Sequence, residues 1–422
     1  MANAKFIQIH TLTSYPGTLL NRDDAGFAKR LPFGGATRTR ISSQCMKYHW
    51  RHNDGEQGLY RLSVSHTVRS RQTFIQLVAQ PLIEEGYPPK LVVCAVNTLK
   101  ELVLSGKSVS DADYKKILKG EEDLDSVLKT SQVTILGEPE VRYLRQLAAN
   151  TIDSLRQELG FLWDDQETEL SKEQIKIAID AFKQVSEKDM KQNLKGLGIA
   201  TGLDAAMFGR MATSDILARG DAAVHVAHSF TTHAEESESD YFSAVDELVA
   251  SMGEGELGSG HINTNELTSG LFYGYVVVDV PLLISNLEGC DRKDWESVDR
   301  TLAADVVERL IHLIATASPG AKLGSTAPYS RSEFVLVEAG TSQPRTLANA
   351  FRRPVDMQPD LLANTYHALA NHVREIDSMY GTNEERCLSA TGPIEQLTAA
   401  LQAGNAIPLA NTATWAAAQV RG

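Results

Sequence analysis

Between Asn21 and Arg51 the chain reads NRDDAGFAKRLPFGGATRTRISSQCMKYHWR, and the side chains of this run suit the holding of phosphate. Arg22, Arg38, Arg40, Lys47 and Arg51 offer forked or point-charge donors, while Ser42, Ser43 and Gln44 add neutral hydrogen bonds. Gly34 and Gly35 would let backbone amides approach phosphate oxygens, and a helix beginning near Ser42 would add the partial positive charge of its N-terminus. The glycines do not stand in the GxxxxGK(S/T) spacing of a nucleotide-triphosphate loop. Residues 1–72 hold 11 Lys+Arg against 4 Asp+Glu, a net of +7, whereas the rest of the chain holds 30 against 50, a net of −20. Such an asymmetry fits an N-terminal surface made for a polyanion, although a solvated basic face gives the same count.

Three other chemistries can be read from residue type. His225 and His228, with His233, His261 and Asp221 or Asp240, could supply metal ligands, yet no HExxH is present and hydrogen-bonded structural histidines are the simpler reading. The pair Asp23-Asp24 invites a two-metal nuclease reading, but adjacent residues seldom face one site, and orientation of a neighbouring arginine is the plainer role. The aromatic run Phe272-Tyr273-Gly274-Tyr275 loosely resembles an RNA-stacking strand, while core packing accounts for most of its rings.

The elements that must position these residues form an α+β order. Lys5 to Leu12 predicts a strand buried on at least one face, and FGG at Phe33 to Gly35 predicts a sharp turn. From Ser42 a helix is predicted, with Gln44, Lys47 and Arg51 on one face. Residues 67–200 read as a mainly helical insertion into a sheet domain, with Asp111 to Lys129 as two short surface helices. Ala222 to Gly260 reads as a long excursion, Leu271 to Val280 and Glu333 to Val337 as strands, and Trp295 to Ala317 and Leu361 to Met379 as amphipathic helices.

With 422 residues and 42% hydrophobic content the chain can bury a large core. The four cysteines show no CxxC spacing, so reduced packing thiols are expected. MANAKFIQIHTL lacks a basic start with a long apolar run, and no window approaches the ~18 apolar residues of a membrane span, so a soluble cytoplasmic protein is expected.

Several segments, taken in order, carry a resemblance. IQIH, LNRDD, FGG, RTRISSQ and Lys47 three residues beyond Gln44 are followed by LDAAMFGRM at Leu203–Met211 and VAHSFTTH at Val226–His233. DYFSAVDEL at Asp240–Leu248, GSGHINTNELTSGLFYGY at Gly258–Tyr275, PGAK at Pro319–Lys322 and LANAF at Leu347–Phe351 extend it. The set resembles the CasC family, the guide-RNA-binding backbone subunit of the type I-E CRISPR complex Cascade.

That resemblance implies a modified RNA-recognition-motif (ferredoxin-like) palm over residues 1–66, 201–221 and 256–422, the last with a helical tail. It also implies helical fingers over 67–200 and a protruding thumb over 222–255. It implies a non-catalytic protein without metal or cofactor, whose partners are guide RNA, target DNA, further copies of itself and other Cascade subunits, with no membrane. Carried over by position, Arg22, Arg40, Ser42, Ser43, Gln44, Lys47 and Arg51 resemble guide-RNA contacts. Lys29, Arg30 and Arg38 look like residues facing target DNA, and Met211 and Phe242 like wedges beside a displaced base. The chain departs from the family pattern at Ala36-Thr37 and at Tyr48-His49-Trp50, where more basic runs are usual, and it is long for the family. The competing reading is a nuclease acting on RNA or DNA through a His/Asp metal site.

Overall fold

In the computed structural model, which describes residues 3–166, 168–185, 187–195, 201–210, 220–245, 259–320 and 323–422, the chain is a mixed α+β protein built on an antiparallel sheet. The strands are β1 (Phe6–Thr18), β2 (Arg30–Phe33), β3 (Ala36–Ile41), β4 (Thr67–Ser70), β5 (Thr134–Gly137), β6 (Val224–Val226), β7 (Ser229–Thr231), β8 (Ser237–Val245), β9 (Ser259–Asp279), β10 (Phe334–Gly340) and β11 (Glu385–Ala390). The helix after β3 is α1 (Ser43–Arg51); later helices are named by their ranges. The chain divides into two units, one of residues 1–62, 224–281 and 299–422, the other of residues 63–223 and 282–298.

The first unit holds the sheet β11-β10-β1-β9-β7-β3-β2, with β6 and β8 also paired to β9. Every pairing is antiparallel, and β1 is central: Ile9 lies opposite Val276 of β9 and Val337 of β10. Because side chains alternate across a strand, β1 sends Leu12, His10 and Gln8 to one face and Ile7, Ile9 and Thr11 to the other. All six are buried. On the first face Leu12, Tyr273, Phe334 and Leu336 meet Tyr366, Leu369 and Val373 of the helix Leu361–Tyr380. That helix starts where expected, because Asp360 accepts a hydrogen bond from the Ala363 amide. The helix expected over Trp295–Ala317 is instead a short 3-10 turn, Arg292–Ser297, followed by a helix over Thr301–Thr316. The break has a local cause: Asp299 Oδ1 accepts from both the amide and the hydroxyl of Thr301, restarting the helix there. The strand expected over Leu271–Val280 is longer, beginning at Ser259, and Val280 already opens the next helix.

One edge of the Leu12 face carries charge. Glu338 is fully buried and accepts from Arg345 Nη1 (2.7 Å), Arg345 Nη2 (3.1 Å) and Arg386 Nε (2.8 Å), while Arg386 also grips Asp377 at 2.7 and 2.8 Å. His10 lies 3.1 Å from Glu338 through Nε2 and 2.9 Å from the Tyr273 hydroxyl through Nδ1. Burial holds the His10 pKa below its ordinary value. A neutral ring donating from Nε2 to Glu338 and accepting at Nδ1 from Tyr273 satisfies both partners, since the tyrosine oxygen also accepts the Leu347 amide. Burial pushes the Glu338 carboxyl up, but the His10 hydrogen bond and the flanking charges outweigh it and hold Glu338 well below the usual range.

The second unit is mainly helical, with a core that includes Phe74, Val78, Leu99, Tyr114, Leu144, Ile152, Ile179 and Phe182. The segment Asp111–Lys129 forms the two short helices expected, Asp111–Leu118 and Leu124–Leu128, each capped by the preceding Ser110 or Asp123. A two-stranded ribbon of β4 and β5 was not anticipated in this block. Its end is fixed by a buried ion pair, in which Arg210 Nη1 lies 2.5 Å from Glu140 Oε2 and the same oxygen accepts the Gly137 amide at 2.9 Å.

Glu338→Gln should lower stability by about 3 kcal/mol, because Arg345 and Arg386 lose a buried counter-charge. A depressed carboxylate pKa contributes stability that is complete above the unfolded value of 4.5 and is lost as pH falls toward the folded value. Urea titrations across pH should therefore show the gap between parent and variant narrowing below about pH 4.5; a gap independent of pH would remove the ionic account.

Candidate nucleic-acid interface

The basic segment folds as a small loop, a hairpin and a helix tied to one another by backbone bonds. Residues 21–29 turn back on themselves around Asp23, whose Oδ1 accepts the Ala25 (3.0 Å) and Phe27 (2.9 Å) amides. Asp23 therefore organises its own loop, correcting the expectation that this pair orients an arginine. Asn21 joins the loop to its neighbours: its carbonyl accepts the Lys29 amide and its Oδ1 accepts the Ser42 amide at 3.0 Å. The Lys29 carbonyl in turn accepts the Arg40 amide at 2.8 Å. Ser42 is the N-cap of α1, accepting the Cys45 amide at 3.3 Å.

Gly34 and Gly35 turn the β2–β3 hairpin with positive φ. A side chain at Gly34 would sit 1.5 Å from the Arg352 carbonyl oxygen. At Gly34 the close approach that glycine permits is to the chain's own backbone, whereas Gly35 has open space beside it.

The cations of the segment have different fates. Arg38 is fully buried, and its Nη1 donates to the carbonyls of Thr231 (3.0 Å), Thr232 (2.8 Å) and His233 (3.1 Å), with Nη2 donating to Phe351 (2.9 Å). The sequence-based placement of Arg38 toward phosphate and target DNA is thereby corrected, because no part of the guanidinium reaches solvent. Arg30, likewise expected to face DNA, has its guanidinium paired with Glu235 and Glu266. Glu266 also accepts the Ala28 amide at 2.7 Å.

Lys29 and Arg40 remain at the surface, half-buried, without carboxylate partners among the described residues. Arg40 donates from Nε to the Arg30 carbonyl (3.1 Å) and from Nη1 to His228 Nδ1 (2.9 Å). Desolvation, then the charges of Arg40 and Lys29, lowers the His228 pKa, so the ring is a neutral acceptor at pH 7. Lys29 also acts electrostatically on Cys45 of α1, which places its charge beside that helix. Arg22 and Gln44 are exposed, Ser43, Lys47 and Arg51 are half-buried, and Arg51 Nε donates to the Lys47 carbonyl at 3.2 Å. Met211 lies outside the described residues. Phe242 stands in β8 opposite Asn263 of β9, and only its backbone is described.

Two of the four histidines of the metal reading are used otherwise, and the His261 side chain lies outside those described. His228 is bonded to Arg40, and His233 donates from Nδ1 to the Ala234 carbonyl and accepts the Leu271 amide at Nε2. Among the described residues no group of three or more His, Cys, Asp or Glu side chains is placed to hold a metal ion. Phe272 and Tyr273 are buried in the sheet, so those rings pack. No described helix is long and apolar enough to cross a membrane. Sequence reasoning missed His228 as the partner of Arg40 and missed Glu235 and Glu266 as the counter-charges of Arg30. Their separations of 188, 205 and 236 residues leave no local signal.

A family model described as CT1975-like protein matches residues 7–415. The chain belongs to the CT1975-like protein family. This CT1975-like chain has the fold of two solved chains. One, from a structure titled "CRISPR RNA-guided surveillance complex, pre-nicking", superposes with a TM-score of 0.73 at 24% identity, covering 98% of this chain and 100% of that one. Another, titled "CRISPR RNA-guided surveillance complex", gives a TM-score of 0.62 at 21% identity over 97% and 99%. A search of curated proteins found no significant match.

Arg38→Met should destabilise the protein by about 3 kcal/mol, because the carbonyls it bonds lose charge-assisted donors in a buried place, whereas Arg22→Ala should change stability by less than about 0.5 kcal/mol. Chemical denaturation of both variants tests the division of the segment into structural and surface cations.

Proposed function

We propose that this CT1975-like protein is the non-catalytic backbone subunit of a type I-E Cascade-like surveillance complex. It polymerises along a guide RNA, grips the phosphates and supports pairing with target DNA. The observation that carries the reading is the surface cluster of Lys29 and Arg40 around a neutral His228, next to the capped N-terminus of α1. Like charges held together without carboxylates are relieved by an anion, and the helix N-terminus favours the same sign. The titles of the structures it resembles name RNA-guided surveillance complexes, which supports the same direction.

In this reading the sheet of the first unit is a modified RNA-recognition palm, the helical unit supplies the fingers, and the thumb of residues 222–255 includes β8. Arg22, Arg40, Ser43, Gln44, Lys47 and Arg51 hold RNA phosphates, Ser42 acts by capping α1, and Lys29 faces target DNA. Met211 and Phe242 keep their role as wedges. Phosphate contacts fix the register of the strand while base pairing supplies specificity.

If each protomer neutralises about four to six phosphates, log affinity for single-stranded RNA should fall with log salt at a slope of roughly −3 to −4. Lys47→Ala should weaken binding about equally for all RNA sequences. A slope near zero, or a loss confined to one sequence, would sink the phosphate grip. Native mass spectrometry of the assembly from its host operon should find several copies on one RNA. An RNA-free monomer at low salt would count against the backbone role.

A further inference from the structure

Beside the cationic stripe of α1 runs a second one. In a helix, residues four apart share a face, so Ser43, Lys47 and Arg51 form one row and Gln44, Tyr48 and His52 the row next to it. Tyr48 is 53% exposed and His52, the C-cap, is exposed as well. The two rings are stacked, with centroids 4.2 Å apart and planes 29° from parallel. His52 cannot swing freely, because its backbone amide and its Nδ1 both bond the Tyr48 carbonyl, at 3.1 and 2.8 Å. That bond makes Nδ1 the protonated nitrogen. His49 meets the tyrosine edge-on at 5.4 Å. Burial first, then His52, lowers the His49 pKa, which keeps that ring uncharged. α1 reaches the core through Trp50, which is buried, and through Cys45 and Met46, while Tyr48 and His52 stay at the surface.

We propose that Tyr48, backed by His52, is a stacking platform for a base of the single strand whose phosphates lie along Lys47 and Arg51. The proposal rests on the reading of the chain as an RNA-binding subunit and adds a contact to the base, where the cationic row holds only the backbone. Three features argue for a nucleobase as occupant. The ring is already ordered by His52, so little side-chain entropy remains to be lost on stacking. The neighbouring row is cationic, so a polyanion passing it must bring its bases within reach. Half of the tyrosine stays exposed even with two rings against it. Stacking accepts any base, because each has a π-face, and so the platform leaves the guide free in sequence.

The test is fluorescence-anisotropy binding of the full chain to a short labelled oligouridylate and to an oligoribonucleotide of equal length lacking bases. Parent, Tyr48→Ala, Tyr48→Phe and Lys47→Ala are compared. Tyr48→Ala should weaken binding of the base-bearing strand about tenfold and of the abasic strand less than about twofold, with Tyr48→Phe within about twofold of the parent on both. Lys47→Ala should weaken both strands alike. A Tyr48→Ala loss that is equal on the two strands, or absent from the base-bearing one, overturns the platform while leaving the RNA-binding reading intact. Failure of the parent to bind either strand overturns that reading and the platform with it. Unchanged melting of Tyr48→Ala separates lost contact from lost fold.

Discussion

A guanidinium without a carboxylate sits where the cationic hairpin joins the sheet. Arg38 spends its charge on the carbonyls of Thr231, Thr232, His233 and Phe351. Those carbonyls end β7, begin the stretch leading to β8, and close the segment before Arg352. A buried cation needs its dipoles held in place, so the hairpin, the β7–β8 connection and the Phe351 turn can only be ordered together. Around it Phe33 packs edge-on against Phe230, and the Arg38 guanidinium lies 5.8 Å from the Phe33 ring. Gly34 completes the joint by admitting the Arg352 carbonyl where any side chain would collide. The surface cations depend on this joint, since Arg40 and Lys29 stand on the strand and loop that it anchors.

Formal charge therefore overstates what the N-terminal segment offers to a ligand. Arg30 is neutralised by Glu235 and Glu266, and Arg38 by carbonyl dipoles. The cations that remain are held on backbone positions by bonds among Asn21, Lys29, Arg40 and Ser42. Part of the positive charge builds the scaffold and part is displayed on it: Arg38 and Arg40, two residues apart, share one face of β3, yet Arg38 is buried and Arg40 only half-buried.

That difference between two arginines on one strand face marks the limit of what residue pattern alone discloses. β1 was legible because Ile7 and Ile9 alternate with Gln8 and His10, α1 because Ser42 caps a helical spacing, and Leu361–Tyr380 because its apolar residues recur at helical intervals. Short-range chemistry of this kind is written in neighbouring letters. The burial of Arg38 was not, because it has the same strand parity as Arg40, and only the distant carbonyls of Thr231, Thr232, His233 and Phe351 single it out. Nor were the counter-charges of Arg30, or the pairing of His10 with Glu338, since each of these carboxylates lies more than 200 residues away and is one of many in an acidic chain. The break before Thr301 was missed for the opposite reason: Asp299 acts through a two-residue turn inside a stretch whose apolar period continues undisturbed.

The place of β1 in the sheet also sets an order of events during synthesis. Its hydrogen-bonding partners, β9 and β10, follow it by some 250 to 330 residues. At ordinary rates of translation they emerge from the ribosome on the order of tens of seconds later. The helical block between them has a core of its own, drawn wholly from residues 74–194, so it can close while the first strand waits. For that interval a strand built to be covered on both faces has neither neighbour, and Arg38 waits longer still for the Phe351 carbonyl that completes its four acceptors. A nascent chain in this state is most exposed to mispairing.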